Sequence, residues 1–258
     1  MPGDKSMTFE QRFVFVCPMF NMADTLPQLL YSICGQSYSN WRLILIDDVS
    51  SKEQAIRERE IIDSFLTLAQ PGWQGLPEHE RKIVTVWNET KRWEVANVLH
   101  GISMCNDEDI VCRIDADDWL TEIDALAMID SAYMQSQCDA LWTAHRWAYS
   151  DKNISGPMSP GSDPYRHPWV SSHLKTFKKR LLNGVNDENF RNENGDYVKR
   201  AGDQAIYLPC LHNAKRYVFL PRVMYHYTIN DVPETYQTND ARFQRDEALF
   251  LRARGYVK

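Results

Sequence analysis

The sequence predicts an α/β fold built on a mostly parallel sheet with helices on both faces. One observation is a set of short apolar runs that end in polar residues: Arg12–Pro18, Arg42–Asp48, Lys82–Asn88, Asp109–Asp115 and Asp139–His145. A second is helical spacing between them, and a third is strict alternation of the two patterns from residue 12 to 145. Parallel neighbours need a crossover, and a helix is the usual one.

The elements follow in order. The runs are β-branched or aromatic-rich and four to eight residues long, the length and composition of buried strands. Leu26, Leu29, Leu30, Ile33 and Cys34 recur at i, i+3, i+4, i+7 and i+8, which predicts the first helix. Ile62, Phe65, Leu66 and Ala69 share one face of the next, and Ile123, Leu126, Ile129 and Tyr133 mark another. From Trp147 to about Pro168 the pattern lapses into Ser, Gly, Pro and Asp, which reads as a long loop. Ser171–Leu182 is expected to be a helix with Leu174, Phe177, Leu181 and Leu182 inward. Asp203–Ala214 is expected to be another, interrupted or restarted at Pro209, and Arg216–Tyr227 to form two short strands around Pro221.

Composition narrows the function. The chain has 258 residues, 43% of them apolar, enough for a substantial core. A net charge of −6, from 29 Lys+Arg against 35 Asp+Glu, gives no strong nucleic-acid signal. No apolar run approaches the ~20 residues of a membrane span, and the start MPGDKSMTFEQ lacks a signal-peptide core. The expectation is a soluble, cytoplasmic protein. Six cysteines without a C-x-x-C pair read as buried thiols, and the absence of G-x-x-x-x-G-K-[ST] excludes an ordinary P-loop enzyme.

In a parallel α/β sheet, ligands bind beyond the strand C-termini. Those ends read Pro18-Met19-Phe20-Asn21, Asp47-Asp48-Val49-Ser50, Asn88-Glu89 and Asp115-Ala116-Asp117-Asp118. The last carries three acids in four positions with no basic residue among them. If the strand stays extended past Asp115, then Asp115 and Asp117 project to one side. Mn²⁺ or Mg²⁺, bound by oxygen ligands at about 2.1 Å, would offset the crowding. The competing reading is that Asp117 or Asp118 caps a helix beginning near Thr121.

The stretch from Cys17 to Ser51 resembles the opening of the family 2 glycosyltransferases, with its Pro-x-aromatic-Asn turn, the run Ser32, Gln36, Ser37 and Tyr38, and the strand end Asp47-Asp48-x-Ser50. With RIDADDWL downstream, the resemblance covers residues 12 to about 122. A narrower group in the family is similar at His167–Leu181, Asp203-Gln204-Ala205 and Tyr225-His226-Tyr227. The family usually has a Gly before the helix that carries Ala96, Asn97 and Gly101, and here Trp93 occupies that region.

The resemblance implies the glycosyltransferase A fold, a Rossmann-like αβα sandwich, in one domain over 1–258. Its nucleotide-sugar half would span about 12–122, its acceptor and catalytic half about 139–230, and a C-terminal helix or tail 231–258. It implies a metal-dependent, inverting transfer from a nucleotide-sugar donor, a uridine diphosphate sugar, to a hydroxyl of a glycan, protein or other acceptor. Pro18, Phe20 and Asp48 would frame the base, with Asn21, Asn97 and Ala116 also on the donor. Asp115 would touch the ribose or the metal, Asp117 would bind the metal, and His226 would complete its site. His173 and Lys175 would approach the diphosphate or acceptor, and Asp203 would be the general base, its alternative being a helix N-cap. For His226 the alternative is an ordinary histidine between core tyrosines. Two other function classes fit the sequence less well. A sugar nucleotidyltransferase wants a Gly-rich loop and a basic residue after the first strand, which CPMFNMADT lacks, and a carbohydrate-binding module would not need Asp117 or Asp203.

Overall fold

The computed structural model describes residues 11–147, 150, 153–228 and 239–258. Parts of two expected segments, 148–149 and 151–152 of the long loop and 231–238 of the C-terminal stretch, lie outside the described residues, as does the 1–10 portion of the N-terminal start. Among the described residues, eight strands form one sheet in the order β3-β2-β1-β4-β7-β6-β8-β5. They are β1 (Phe13–Met19), β2 (Trp41–Asp47), β3 (Ile83–Trp87), β4 (Ile110–Arg113), β5 (Trp119–Leu120), β6 (Ala140–Trp147), β7 (Lys175–Lys178) and β8 (Tyr217–Tyr227). The helices are α1 (Leu26–Cys34), α2 (Lys52–Ala69), α3 (Trp93–Ser103), α4 (Ala125–Ser136), α5 (Gly202–Asn213) and α6 (Asn239–Arg254). The first four strands are mutually parallel, as the alternation predicts.

Period-two alternation divides the core between the two faces. Phe13, Phe15 and Cys17 of β1 and Leu43 and Leu45 of β2 pack with the apolar stripes of α1, α2 and α4. Val14, Val16, Ile44 and Ile46 point the other way, toward Val95, Val98 and Ile102 of α3 and Ala205 and Ile206 of α5. Helix α3 lies so close that a Cβ on Gly101 would overlap Val16 Cγ1 and come within 2.9 Å of Ile46 Cδ1. The Ser-x-x-x-Gln-Ser-Tyr run braces the acidic stretch. Ser32 Oγ accepts Leu120 N–H at 3.1 Å, while Gln36 donates to Glu122 O at 2.8 Å and accepts Leu126 N–H at 3.1 Å.

Four local expectations change. Ser171–Leu182 is not a helix: β7 runs antiparallel between β4 and β6, followed by one 3-10 turn at Lys179–Leu182. The spacing of Leu174, Phe177 and Leu181 matched a helix because a strand paired on both edges is buried on both faces and shows no alternation. Helix α4 begins at Ala125 rather than near Thr121, which leaves Ile123 69% exposed. Helix α5 runs through Pro209, with Ala205 through Leu211 buried around it. A single strand, β8, passes Pro221, where the register against β6 slips between Leu220 and Val223, so the missing N–H falls in a bulge.

Because β7 is antiparallel to β4, Arg113 pairs with Lys175. This brings the start of β7 to the edge where the parallel strands end.

At Gly101 two effects oppose each other. Alanine gains about 1 kcal/mol of helix propensity, and overpacking against Val16 costs about 1–3 kcal/mol. Gly101→Ala should therefore be less stable than wild type by up to about 2 kcal/mol in urea unfolding. A net gain would mean that α3 does not pack this tightly on the sheet.

Candidate active site

At the C-terminal edge of the sheet, charged groups from four elements meet around Arg113, whose side chain is 5% exposed. Its guanidinium pairs with Glu94 from the first turn of α3, with Asp115 Oδ2 at 2.5 Å and with Asp203 Oδ1 at 3.5 Å. Lys175 Nζ, 1% exposed, lies 2.9 Å from Asp203 Oδ1. Lys175 also lies 3.1 Å from His173 Nδ1, which must accept because an ammonium only donates. That fixes the proton on Nε2, which faces Asp203 Oδ2 at 3.7 Å.

Two cations therefore serve three carboxylates, one negative charge in excess. Burial alone would raise the Asp203 carboxyl, but Lys175 and then Arg113 overcome it and hold the group well below the usual carboxylate range. The excess falls on Glu94, which burial pushes up to about 7 against the pull of Arg113. Burial, reinforced by Lys175, drives His173 well below its ordinary value, so its imidazole is neutral. Asp203 lies in the first turn of α5, whose N-cap is Ala201, so it is not the cap. A Cβ on Gly202 would collide with the Glu94 carboxylate, so glycine lets the end of α5 close on this network.

The acidic stretch departs from the extended geometry expected of it. The chain turns at Ala116 and Asp117, with Asp118 N–H bonded to Asp115 O at 3.2 Å. Thr25 Oγ1 donates to Ala116 O at 3.1 Å. Asp118 is 1% exposed and accepts the Tyr225 hydroxyl at 2.6 Å and Thr228 N–H at 2.7 Å. Burial, then Asp115 and Asp117, raise its carboxyl well above the usual range. The crowding of the three acids is thus relieved in part within the chain, by Arg113 at Asp115 and by Tyr225 and Thr228 at Asp118.

Donor atoms of Asp115, Asp118 and His173 converge within 4.8 Å, a possible acidic metal site. Carboxylate and imidazole are donor types that Mn²⁺ accepts, but the one lone pair of neutral His173 is already engaged by Lys175, which leaves the two carboxylates. His226 is not in this group. It is 7% exposed and stacks on Trp119 with ring centroids 3.7 Å apart. Asp117 is half-buried on the turn.

The donor-side residues fall along the same edge with one exception. Pro18 is half-buried within β1 and Phe20 follows it, 41% exposed under Lys91 Nζ at 3.4 Å. Asn21, at φ 56°, accepts Ser51 N–H and donates its own N–H to Ser50 Oγ. Asp48 accepts Arg92 N–H at 2.7 Å and Trp93 N–H at 3.0 Å, anchoring the start of α3. Trp93 has φ 65°, in the left-handed region, which is why a glycine suits this place in the family pattern. The exception is Asn97, fully buried and tied to Asn88 at 2.8 Å, where it joins α3 to the end of β3 instead of meeting solvent.

Sequence reasoning missed Arg113 and Glu94. Arg113 stands inside RIDADD, and its basic side chain two residues before Asp115 was the available signal. Glu94 carries no signal of its own, because only the fold brings α3 against α5.

Acidic side chains gathered beyond the C-terminal ends of a mostly parallel sheet mark the ligand-binding face of an α/β protein. A family model, "Glycosyl transferase family 2", matches residues 14–188, and the chain belongs to that family. Putative glycosyltransferase EpsE of Bacillus subtilis (strain 168) is 31% identical over 100 residues, 39% of this chain and 31% of that protein. Among solved structures, S. aureus TarS 1-349 in complex with UDP-GlcNAc aligns with TM-score 0.60 at 16% identity, over 88% of this chain and 61% of that one. The mannosyltransferase PcManGT from Pyrobaculum calidifontis, in complex with GDP-Man and Mn²⁺, aligns with TM-score 0.58 at 15% identity, over 88% and 59%. These likenesses establish the glycosyltransferase A fold. The chain spans about a third of the curated relative's length and about three fifths of each of these two structures. Among the described residues no helix is long and apolar enough to cross a membrane.

Between its ordinary value of 4.5 and about 7, Glu94 is protonated in the fold and ionised in the unfolded chain. The folded state then binds more protons, so this group takes stability away as pH rises across that window. Glu94→Gln should remove the effect, and the stability of wild type relative to the variant should fall from pH 4.5 to 7 in urea titrations. A constant difference would show that Glu94 is ionised throughout.

Proposed function

We propose that the protein is a glycosyltransferase that moves a sugar from a uridine diphosphate sugar to an acceptor hydroxyl with inversion. The observation that carries this reading is the ionised Asp203 carboxylate, 28% exposed at the start of α5 and held by Lys175 and Arg113 beside the acidic turn. Family membership supports it, as do the UDP and UDP-GlcNAc bound by TarS. Phe20 and Pro18 supply an apolar wall for the base. Asp48 retains acceptor capacity for a base N–H beyond the two backbone donors it already holds.

Asp115 and Asp117 would hold Mn²⁺ or Mg²⁺, which would supply positive charge against the diphosphate. Asp118 is taken up by Tyr225 and Thr228 and the His173 lone pair by Lys175, so the partly exposed Asp115 and Asp117 are the better pair. His226, stacked on Trp119, serves the wall of the site. In the transfer, Asp203 takes the acceptor hydroxyl proton as the acceptor oxygen bonds to the anomeric carbon. The bond from that carbon to the diphosphate oxygen breaks, and the nucleoside diphosphate leaves with the electron pair.

An acid held well below its usual range is a weak base. The donor's diphosphate brings negative charge toward Lys175 and Arg113 and shares their field. Asp203 thus gains proton affinity once the donor is bound.

Slow donor hydrolysis across a panel of nucleotide sugars with Mn²⁺ identifies the donor without an acceptor. With the acceptor, Asp203→Asn should lower transfer by about 10²–10⁴ while nucleotide affinity barely changes. Transfer near wild-type level would remove Asp203 from the mechanism, and a retained anomeric configuration by NMR would exclude an inverting base. For the metal, calorimetry should find UDP binding tighter with Mn²⁺ than with chelator, and Asp117→Ala should abolish the difference. If only Asp118 or His173 substitutions abolish it, the enclosed site holds the ion instead.

A further inference from the structure

The loop before α3 and the segment leading into α5 gather positive charge around one indole. Trp93 is 37% exposed, in a backbone region that a bulky side chain adopts only when its surroundings impose it. Asp48 imposes it through the N–H groups of Arg92 and Trp93. Lys91 Nζ, Lys199 Nζ and the Arg200 guanidinium carbon lie 5.2, 5.5 and 5.9 Å from the Trp93 ring. The last two are fixed from behind. Glu247, 5% exposed on α6, accepts the N–H groups of Lys199 at 3.1 Å, Arg200 at 2.8 Å and Ala201 at 3.3 Å. An internal carboxylate therefore satisfies the backbone of this segment.

These cations stand on a chain of net charge −6, between the donor edge at Phe20 and Asp48 and the start of α5 at Asp203. Local positive charge at the mouth of a cleft concentrates anions. An exposed indole face offers an apolar platform that the C–H face of a sugar ring can cover. Lys175 and Arg113, 1% and 4% exposed, are taken up by the acids of the network, whereas Lys91, Trp93 and Arg200 of the collar are exposed, which leaves the collar open to the other substrate.

We propose that Trp93, Lys91, Lys199 and Arg200 form an acceptor subsite for an anionic saccharide, one that carries phosphate or carboxylate. Its ring lies on the Trp93 indole and its charge meets the three cations, which delivers a hydroxyl toward Asp203. This rests on the glycosyltransferase reading above.

The test uses the full chain saturated with UDP and Mn²⁺, titrated with maltotetraose, maltotetraose 6-phosphate and tetragalacturonate and followed by NMR. At low salt at least one of the charged probes should bind about tenfold or more tighter than the neutral one. Which charged probe is preferred distinguishes a phosphorylated from a carboxylated acceptor. The preference should collapse in high salt and in the Lys199→Gln/Arg200→Gln double variant. Trp93→Gly, which suits the positive φ, should weaken all three probes alike. UDP affinity should stay within about twofold in these variants, because the cations are assigned to the acceptor. Equal binding of the three probes overturns the proposal. So does a fall in UDP affinity with the anion preference intact, which would give the collar to the donor. Failure of the wild type to bind UDP at all would instead sink the glycosyltransferase reading, so the two failures are distinct.

Discussion

The site depends on the burial of one guanidinium. Arg113 ends β4 and reaches three carboxylates on three other pieces of chain: Glu94 on α3, Asp115 on the acidic turn and Asp203 on α5. Burying such a charge is tolerable only with partners in good geometry, and removing one partner from a buried pair costs about 3–5 kcal/mol. The planar fork of Arg113 can serve several acids at once, which a lysine ammonium does less well. Strand β7 makes the arrangement possible by pairing antiparallel to β4, which sets Lys175 beside Arg113 and gives Asp203 its second cation. Strands β4 and β7 and helices α3 and α5 are thus joined by a single charge network.

That network has a chemical consequence. Two cations stand among three carboxylates, and burial pushes the carboxyl of Glu94 up to about 7, so Glu94 is the acid that takes up a proton most readily. Asp203 stays ionised and oriented, with both cations facing it. Around Trp93 the charge is reversed, with three cations near one indole on a chain whose central network is acidic.

Much of the architecture was legible because burial leaves periodic traces. The runs in β1 to β4 and the stripe Leu26, Leu29, Leu30 and Ile33 mark elements that bury fixed faces, and the strand ends Phe20, Asp48 and Asp115 lie on one edge because parallel strands share a direction. Strand β7 escaped because, buried on both sides, its apolar spacing coincides with that of a helix. The turn at Asp117 escaped because its geometry is set by Thr25, Tyr225 and Thr228, far off in sequence. Asn97 sits on the expected helix but points into the protein, and Glu94 gains its meaning only from α5. Spacing reports which residues share a face of one element, whereas the neighbours of that element come from tertiary packing.

The most direct test is a carboxylate titration by ¹³C NMR of the intact protein, with the Asp203 and Glu94 signals assigned through Asp203→Asn and Glu94→Gln. The account predicts that Asp203 stays ionised well below its ordinary value of 3.8 while Glu94 takes up its proton near pH 7. An Asp203 that protonates near neutrality, with Glu94 titrating in the ordinary carboxylate range, would contradict it.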